Sequence, residues 1–304
     1  MKKKILFWIL GIVGALVIGI GVYAYNVYSN VSNTLDEVHQ PLKRNASPKR
    51  PEEVDVDKKA PISILVLGSD PRGDERGRSD SLMLITLNPN KQSTKIVSIP
   101  RDTYTEIVGR GTTDKINHAY AFGGVDMSVA TVEHFLDVPV DYYVEVNMEG
   151  FKDVVDAVGG VDVNNDLDFS YGGFHFAKGP IHLSGKEALA YSRMRKEDPR
   201  GDFGRQMRQR QVIQAVISKG AKASTLANYG DLLNAVQKNV KTNLTQEEML
   251  SIPKGYAAAR NTIEEVEIQG QGKMMDNIWY YIVSEETRKN LSNQLREHLE
   301  LPAQ

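Results

Sequence analysis

Four apolar residues stand in an unbroken row at Ile64-Leu65-Val66-Leu67, and the row stops at Gly68-Ser69-Asp70. A strand with one wet face alternates apolar and polar side chains, whereas an unbroken row marks a strand covered on both faces. The chain must therefore supply a layer on each side of a sheet. A second strand is predicted over Leu82–Leu87 and a third over Lys95–Ile99, where Pro100 stops it. Helical spacing follows at Val125–Leu136, then a strand at Tyr142–Val146. Phe151, Val154, Val155 and Val158 mark a short helix that Gly159-Gly160 ends. Residues 161–183 read as short strands and loops. Further helices are predicted around Gly185–Tyr191, Phe203–Lys219, Thr225–Asn239 and Gln246–Ala259, with a late strand at Val266–Ile268 and a last helix at Glu285–Leu299. Strands and helices interleave, so the expected fold class is α/β: one three-layer α/β/α domain over residues 62–304.

What precedes that domain bears on where it works. Lys2, Lys3 and Lys4 stand before a run from Ile5 to Tyr25 without a charge. About 20 apolar residues span a bilayer. The positive-inside rule places residues 1–4 in the cytoplasm and makes residues 5–25 a transmembrane signal-anchor. Trp8 and the group Tyr23, Tyr25 and Tyr28 suit the two interfaces. The rival is a cleaved signal peptide with Val22-Tyr23-Ala24 at its cleavage site, but the run exceeds the usual apolar core of such peptides. Either way the remainder faces outward, in a single-pass type II topology if the anchor is kept. Residues 26–40 are polar and continue the helix; residues 41–61, with Pro41, Pro48, Pro51 and Pro61 among charges, read as a disordered tether. The chain has no cysteine, which excludes disulfides, thiolate chemistry and cysteine-ligated zinc. Its formal net charge of −2 gives no general attraction to nucleic acid or anionic lipid, so any electrostatic site is local.

Three local clusters stand out. Six arginines lie between Arg193 and Arg210. Guanidinium forks bind phosphate bidentately, which lysine cannot do. Arg193 and Arg195 share a side of an extended backbone, and Asp202, Arg205 and Gln209 share a helix face with Arg208 beside it. The bland alternative is a solvated charged face, though lysine and glutamate usually dominate such faces. Nucleic-acid binding fits poorly outside the cell and without an aromatic-lined basic groove. In the second cluster, Asp70 ends the first strand and Asp80 opens the second, within Arg78-Ser79-Asp80-Ser81. If those strands are neighbours, both carboxylates meet at one sheet edge, where α/β proteins bind ligands. Two carboxylates plus substrate phosphates are a usual magnesium arrangement, while ordinary turn chemistry accounts for the same residues without a metal. The third is Arg101-Asp102 after Pro100, with Lys115-Ile116-Asn117-His118 soon after. His118, His175 and His182 have no partner at metal or triad spacing.

Taken in order, ILVLGSD ending at Asp70, RSDS at Arg78–Ser81, SIPRDT at Ser98–Thr103, KINHAY at Lys115–Tyr120 and YSRMRKEDPRGDFGRQMRQRQ at Tyr191–Gln211 resemble the LytR-CpsA-Psr family of Gram-positive envelope proteins. The resemblance covers roughly residues 60–220 and the anchor and tether before them. Length and the lack of an extra N-terminal domain are similar to the wall teichoic acid transferases of that family. The resemblance implies a mixed central sheet and an apolar pocket for a polyprenyl tail. It implies a phosphotransferase that moves a glycopolymer from an undecaprenyl pyrophosphate carrier to the C6 hydroxyl of peptidoglycan N-acetylmuramic acid. By the same resemblance Asp70 and Asp80 hold magnesium, or manganese in its place. Arg78, Arg101, Arg193 and Arg195 grip the pyrophosphate, and Lys115, Asp202, Arg205, Arg208 and Gln209 complete the polar end. Asp102, Asp202 and Asp70 are the candidates for the general base. A lipid-pyrophosphate hydrolase and a non-enzymatic binder of wall polyanions are the competing functions. Ala15 and Gly19 form a small-xxx-small pair, which leaves the oligomeric state open.

Overall fold

A computed structural model of the chain describes residues 29–50, 52–72, 75–220 and 229–302. The predicted cytoplasmic residues 1–4 and membrane span 5–25 lie outside the described residues. Among the described residues no helix is long and apolar enough to cross a membrane. Residues 29–38 form a helix, α1. In chain order there follow β1 (Ile62–Arg72), β2 (Glu75–Asn88), β3 (Ser93–Ile99), β4 (Tyr104–Ile107), β5 (Thr112–Lys115) and α2 (His118–Leu136). Next come β6 (Tyr142–Asn147), α3 (Met148–Ala157), β7 (Val161–Asn165), β8 (Phe169–Tyr171), β9 (Phe174–Phe176), β10 (Gly179–Leu183), α4 (Gly185–Arg193) and α5 (Asp202–Gly220). The last part holds α6 (Tyr229–Asn239), β11 (Val240–Thr242), α7 (Gln246–Gly255), β12 (Thr262–Glu267), β13 (Gln271–Met275), β14 (Ile278–Ile282) and α8 (Glu285–His298).

The central sheet runs β11-β6-β1-β2-β3-β12. It is mixed, as expected: β1 pairs antiparallel with β2 and parallel with β6, and β3 pairs antiparallel with β2 and parallel with β12. The row that demanded two covers has them. Leu65 and Leu67 face one way, into a core with Leu84 and Val97 of the sheet, Val132 and Phe135 of α2, and Leu291 and Leu295 of α8. Each fully buried leucine there contributes roughly 1.5–3 kcal/mol of transfer free energy. Ile64 and Val66 face the other way, toward α3 and α5, where they line a cavity. A second core, built on Val155, Leu183, Tyr191, Met194 and Val212, joins α3, α4 and α5 to β7–β10.

The structure differs from the expectation in three places. Both of the first strands are longer than their apolar segments. β1 runs on through Gly68–Arg72 and β2 begins at Glu75, because backbone ladder bonds continue past the covered sheet without needing apolar side chains. Asp70 and Asp80 are therefore inside an extended pair rather than at its ends. The tether expected to be disordered over residues 41–61 is docked. Arg44 Nη2 donates to Glu133 Oε1 at 2.7 Å, Arg50 Nε donates to Asp141 Oδ1 at 2.8 Å, and Val56 is buried against Ile62 and Tyr142. Its few apolar residues suffice because its charges meet partners on the domain. The helix expected over Gln246–Ala259 ends at Gly255, and a single 3-10 turn spans Ala257–Arg260. The short hairpins β4–β5 and β13–β14 had no prediction.

Candidate active site

The site grows from an irregularity in the β1–β2 pair. Gly68 opposes Ser81, but Ser69 opposes Ser79, so Asp80 is the extra residue of a β-bulge. A bulge bends its strand and re-aims a side chain. Asp80 Oδ1 accepts from Arg101 Nη1 at 2.9 Å and from Asn117 Nδ2 at 3.4 Å, and its carbonyl accepts from Arg205 Nη2 at 3.4 Å. Arg101 reaches it because Pro100 ends β3 and a tight turn follows, closed by Thr103 N–H to the Pro100 carbonyl at 3.0 Å. Arg205 sits in the first turn of α5, after Gly201 reverses the chain at φ 58.

The two remaining arginines come from the end of α4. A capping box between Ser184 and Glu187 starts this helix, and Met194 leaves it in an extended conformation. Arg193 and Arg195 therefore flank an extended residue, as the spacing predicts. Arg193 Nη2 lies 3.6 Å from Asp70 Oδ1, and Arg195 Nε lies 3.7 Å from Asp202 Oδ1. Asp202 Oδ1 is also 2.7 Å from Arg205 Nη2, and Oδ2 accepts from Gln206. Arg101, Arg193, Arg195 and Arg205 line one open cavity of about 690 Å³ with Tyr171 and Lys196.

Polar atoms at this place are left without protein partners. Buried polar groups in folded proteins are nearly always hydrogen-bonded. Among the described residues six buried side-chain polar atoms have no hydrogen-bond partner, and five of them are Ser79 Oγ, Arg101 Nε, Asn117 Oδ1, Asp202 Oδ1 and Arg205 Nε. All belong to Asp80's sequence neighbour, to its contacts or to theirs. Asp202 Oδ1 is close enough to Arg205 for an ion pair but is not aligned for a hydrogen bond. Burial is the largest influence on Arg205 and pulls its pKa below the usual range; Asp202 and Asp80 oppose this, and the Arg101 and Arg195 charges add to it. Burial also works against the charge of Arg101, but Asp80 and Asp102 outweigh it and raise its pKa. A polyanion between these guanidinium groups would relieve their mutual repulsion.

A second cavity, of about 310 Å³, opens beside the first between the sheet and α5. Ile64, Val66, Ile85, Val144, Ile213 and Val216 are among its lining residues, and its few polar ones include Ser81, Ser192 and Gln209. No residue lines both cavities, but neighbours along the chain line one each: Ser192 lines the apolar one and Arg193 the arginine one, and Gln209 of the apolar lining lies one helical turn after Arg205.

The expected residues divide accordingly. Asp80, Arg101, Arg193, Arg195, Asp202 and Arg205 converge, and Asp70 joins them through Arg193. Gln209 lines the apolar cavity. Lys115 is one step out: its Nζ is 2.7 Å from Asp102 Oδ1. Arg78 is exposed on β2, across the ladder from Asp70. Arg208 stands apart from the others. It is fully buried and donates to the Tyr191 carbonyl at 3.0 Å, the Met194 carbonyl at 2.6 Å and Asp198 at 2.6 Å. It holds the α4–α5 connection in place, and it lies outside both cavity linings because Gln209 and Arg205 occupy the helix face that meets them. Arg210 is also buried, and donates to Glu265 and Ser98. Asn117, Ser192 and Tyr171 had no expected role; Asn117 and Ser192 carried a signal, their places inside the Lys115–Tyr120 and Tyr191–Gln211 motifs, and Tyr171 carried none.

Asp70 and Asp80 supply carboxylate oxygens at this place, Asp70 beside Arg193 and Asp80 beside Arg101. Among the described residues no group of three or more histidines or acids could hold a metal, so a cation here would need oxygens from a ligand as well.

Known proteins fit this geometry. The chain is 67% identical over 302 residues to a Bacillus mycoides protein named polyisoprenyl-teichoic acid–peptidoglycan teichoic acid transferase TagU, covering 99% of each. It resembles the crystal structure of Bacillus subtilis TagU at 53% identity and TM-score 0.65, over 80% of this chain and 99% of that one. It also resembles TagT bound to LIIa-WTA at 32% identity and TM-score 0.73, over 86% of this chain and 100% of that one. The LytR_cpsA_psr family matches residues 25–297, which span the sheet, both cavities and the converging arginines, and the chain belongs to that family.

Proposed function

We propose that the protein transfers wall teichoic acid from an undecaprenyl pyrophosphate carrier to the C6 hydroxyl of peptidoglycan N-acetylmuramic acid, leaving a phosphodiester. It is an enzyme, a phosphotransferase with a lipid-linked glycopolymer as donor and peptidoglycan as acceptor. The observation that carries this reading is an apolar cavity whose lining residue Ser192 adjoins Arg193 of the arginine cavity, at a place where five buried polar atoms have no hydrogen-bond partner. An amphiphile with a phosphorylated head and a hydrocarbon tail matches both halves. The transferase names of its relatives supply the reaction.

Phosphoryl transfer needs little covalent help; it needs alignment and positive charge around the phosphate oxygens. Arg101, Arg193, Arg195 and Arg205 bind the pyrophosphate, and each charge-assisted hydrogen bond contributes roughly 1.5–3 kcal/mol. The polyprenyl tail lies in the apolar cavity along Ile64, Val66 and Ile213. Asp70 and Asp80 would hold magnesium, or manganese in its place, and the ion would supply further charge neutralisation at the phosphates. Asp102 takes the acceptor proton. Lys115 lies 2.7 Å from its Oδ1 and Arg101 Nε 3.6 Å from its Oδ2, a looser hold than on Asp202, whose Oδ2 accepts from Gln206 and whose Oδ1 lies between two arginines. No nucleotide is consumed, because a pyrophosphate bond is exchanged for a phosphodiester. The protein works in the cell envelope at the membrane. Lys2–Lys4 and the uncharged run to Tyr25 support a single-pass type II anchor with the domain outside.

Incubating the full chain with labelled lipid-linked teichoic acid and peptidoglycan tests this reading. Label appearing on glycan supports transfer. Label released as free polymer phosphate, with none on glycan, makes the protein a hydrolase instead.

A further inference from the structure

The β13–β14 hairpin carries chemistry that the arginine cavity leaves unused. Its strands pair from Gln271↔Ile282 to Met275↔Ile278, with Asp276 and Asn277 turning at positive φ. It is docked at the site: Tyr281 N–H donates to the Asp102 carbonyl at 2.9 Å, and the Tyr281 ring lies 5.8 Å from Phe203, next to Asp202. On the same face as Tyr281, Trp279 is 39% exposed with its ring 6.4 Å from that tyrosine. The indole lies over Gly272, where an added Cβ would come within 2.8 Å of Nε1. On the opposite face Tyr280 meets Tyr104 edge-on at 4.9 Å and lies 5.6 Å from Lys115 Nζ, the cation on Asp102. The hairpin thus meets Asp102 through the Tyr281 backbone and carries aromatic rings on both of its faces. Trp279, Met274 and Tyr104 remain exposed, so packing does not account for them. Flat rings beside charged groups suit a saccharide, whose C–H face stacks on the ring while its hydroxyls reach the charges.

We propose that this hairpin, with Trp279 as the stacking ring on the face it shares with Tyr281, binds the glycan strand of the acceptor. The inference rests on the transfer reading above. In-line displacement sets the attacking and leaving oxygens on opposite sides of phosphorus. The leaving polyprenyl phosphate belongs to the apolar cavity, at Ser81 and Gln209. From there the contacts run from Arg205 to Asp80, to Arg101, to Asp102 and then to the hairpin. The acceptor therefore enters from the hairpin side. Its hydroxyl oxygen bonds to phosphorus as the proton passes to Asp102. The bond from phosphorus to the bridging oxygen breaks, and polyprenyl monophosphate leaves with that electron pair.

Trp8 and Trp279 are the two tryptophans of the chain, so Trp8→Phe leaves Trp279 as the one indole reporter. Titrating that full-length variant with an N-acetylglucosamine–N-acetylmuramic acid oligosaccharide should shift its emission saturably. Trp279→Ala should raise the acceptor KM about fivefold, with kcat and the donor KM nearly unchanged, and Trp279→Phe should restore most of the loss. No emission change, or an unchanged acceptor KM in a folded Trp279→Ala protein, overturns the proposal. So does a raised donor KM alone, which would assign the hairpin to the polymer being transferred. If the unaltered protein links no label to glycan, the transfer reading fails, and the emission titration still judges the hairpin.

Discussion

At the scale of single residues, the site separates arginines that reach its cavity from arginines that hold its walls. Arg101, Arg193, Arg195 and Arg205 line the arginine cavity, whereas Arg208 and Arg210 are buried in bonds to their own chain. The same residue type in one short stretch serves both uses, and only the direction of each side chain distinguishes them. Arg193 provides the sharper test. A lysine keeps the charge but loses the fork that spans two phosphate oxygens. Arg193→Lys should lower the transfer rate at least about tenfold, the equivalent of one charge-assisted hydrogen bond, while thermal unfolding stays where it was. Activity equal to the unaltered protein would remove Arg193 from the phosphate site.

At the scale of elements, the α4–α5 connection is the part whose shape matters most, since it places Arg193, Arg195 and Arg205. Asp198 is its anchor. Arg208 Nη1 donates to it at 2.6 Å and Arg200 Nε at 2.9 Å, and α5 comes so near that a Cβ on Gly204 would lie 1.9 Å from Asp198 Oδ2. Burial alone would raise the Asp198 pKa, but the hydrogen bonds from Arg200 and Arg208 override it and hold it at about 2. Because this folded value lies below the unfolded one near 3.8, the stabilisation is present above that value and is lost as pH falls toward 2. Asp198→Asn should therefore cost about 2 kcal/mol at neutral pH, with the gap to the unaltered protein closing between pH 4 and pH 2 in acid unfolding. A gap that does not change with pH would mean that the ion pairs are not what steadies this connection.

At the scale of the whole molecule, the sheet divides the protein into a packed side and a hollow side. Leu65 and Leu67 meet α2 and α8 in a filled core, while Ile64 and Val66 face a cavity under α5. Filling that cavity should block the tail of the donor without touching any charged residue. Ile213→Trp should weaken donor binding by about tenfold or more, measured as donor KM, and leave acceptor binding as it was. A normal donor KM in a folded variant would place the tail elsewhere.

Much of this was legible in the chain. The unbroken row at Ile64–Leu67 called for covers on both faces, and Pro100, Gly159-Gly160 and the spacing of α5 gave element ends close to those observed. The converging residues were legible as types: an acid beside an apolar row, an arginine after a proline, two arginines flanking one residue. Other features were not legible, for physical reasons that can be named. Residues 41–61 looked too polar to fold, since ion pairs to Glu133 and Asp141 carry no local pattern. Asp80 became a bulge because of its pairing with β1, which is a property of two strands together. The β13–β14 hairpin lies far in sequence from the motifs it completes. The sequence by itself determined that the first strand is apolar on both sides, because hydrophobicity belongs to each residue. Only the tertiary structure decided that one side is packed and the other hollow, because a cavity depends on how far a helix stands from the sheet.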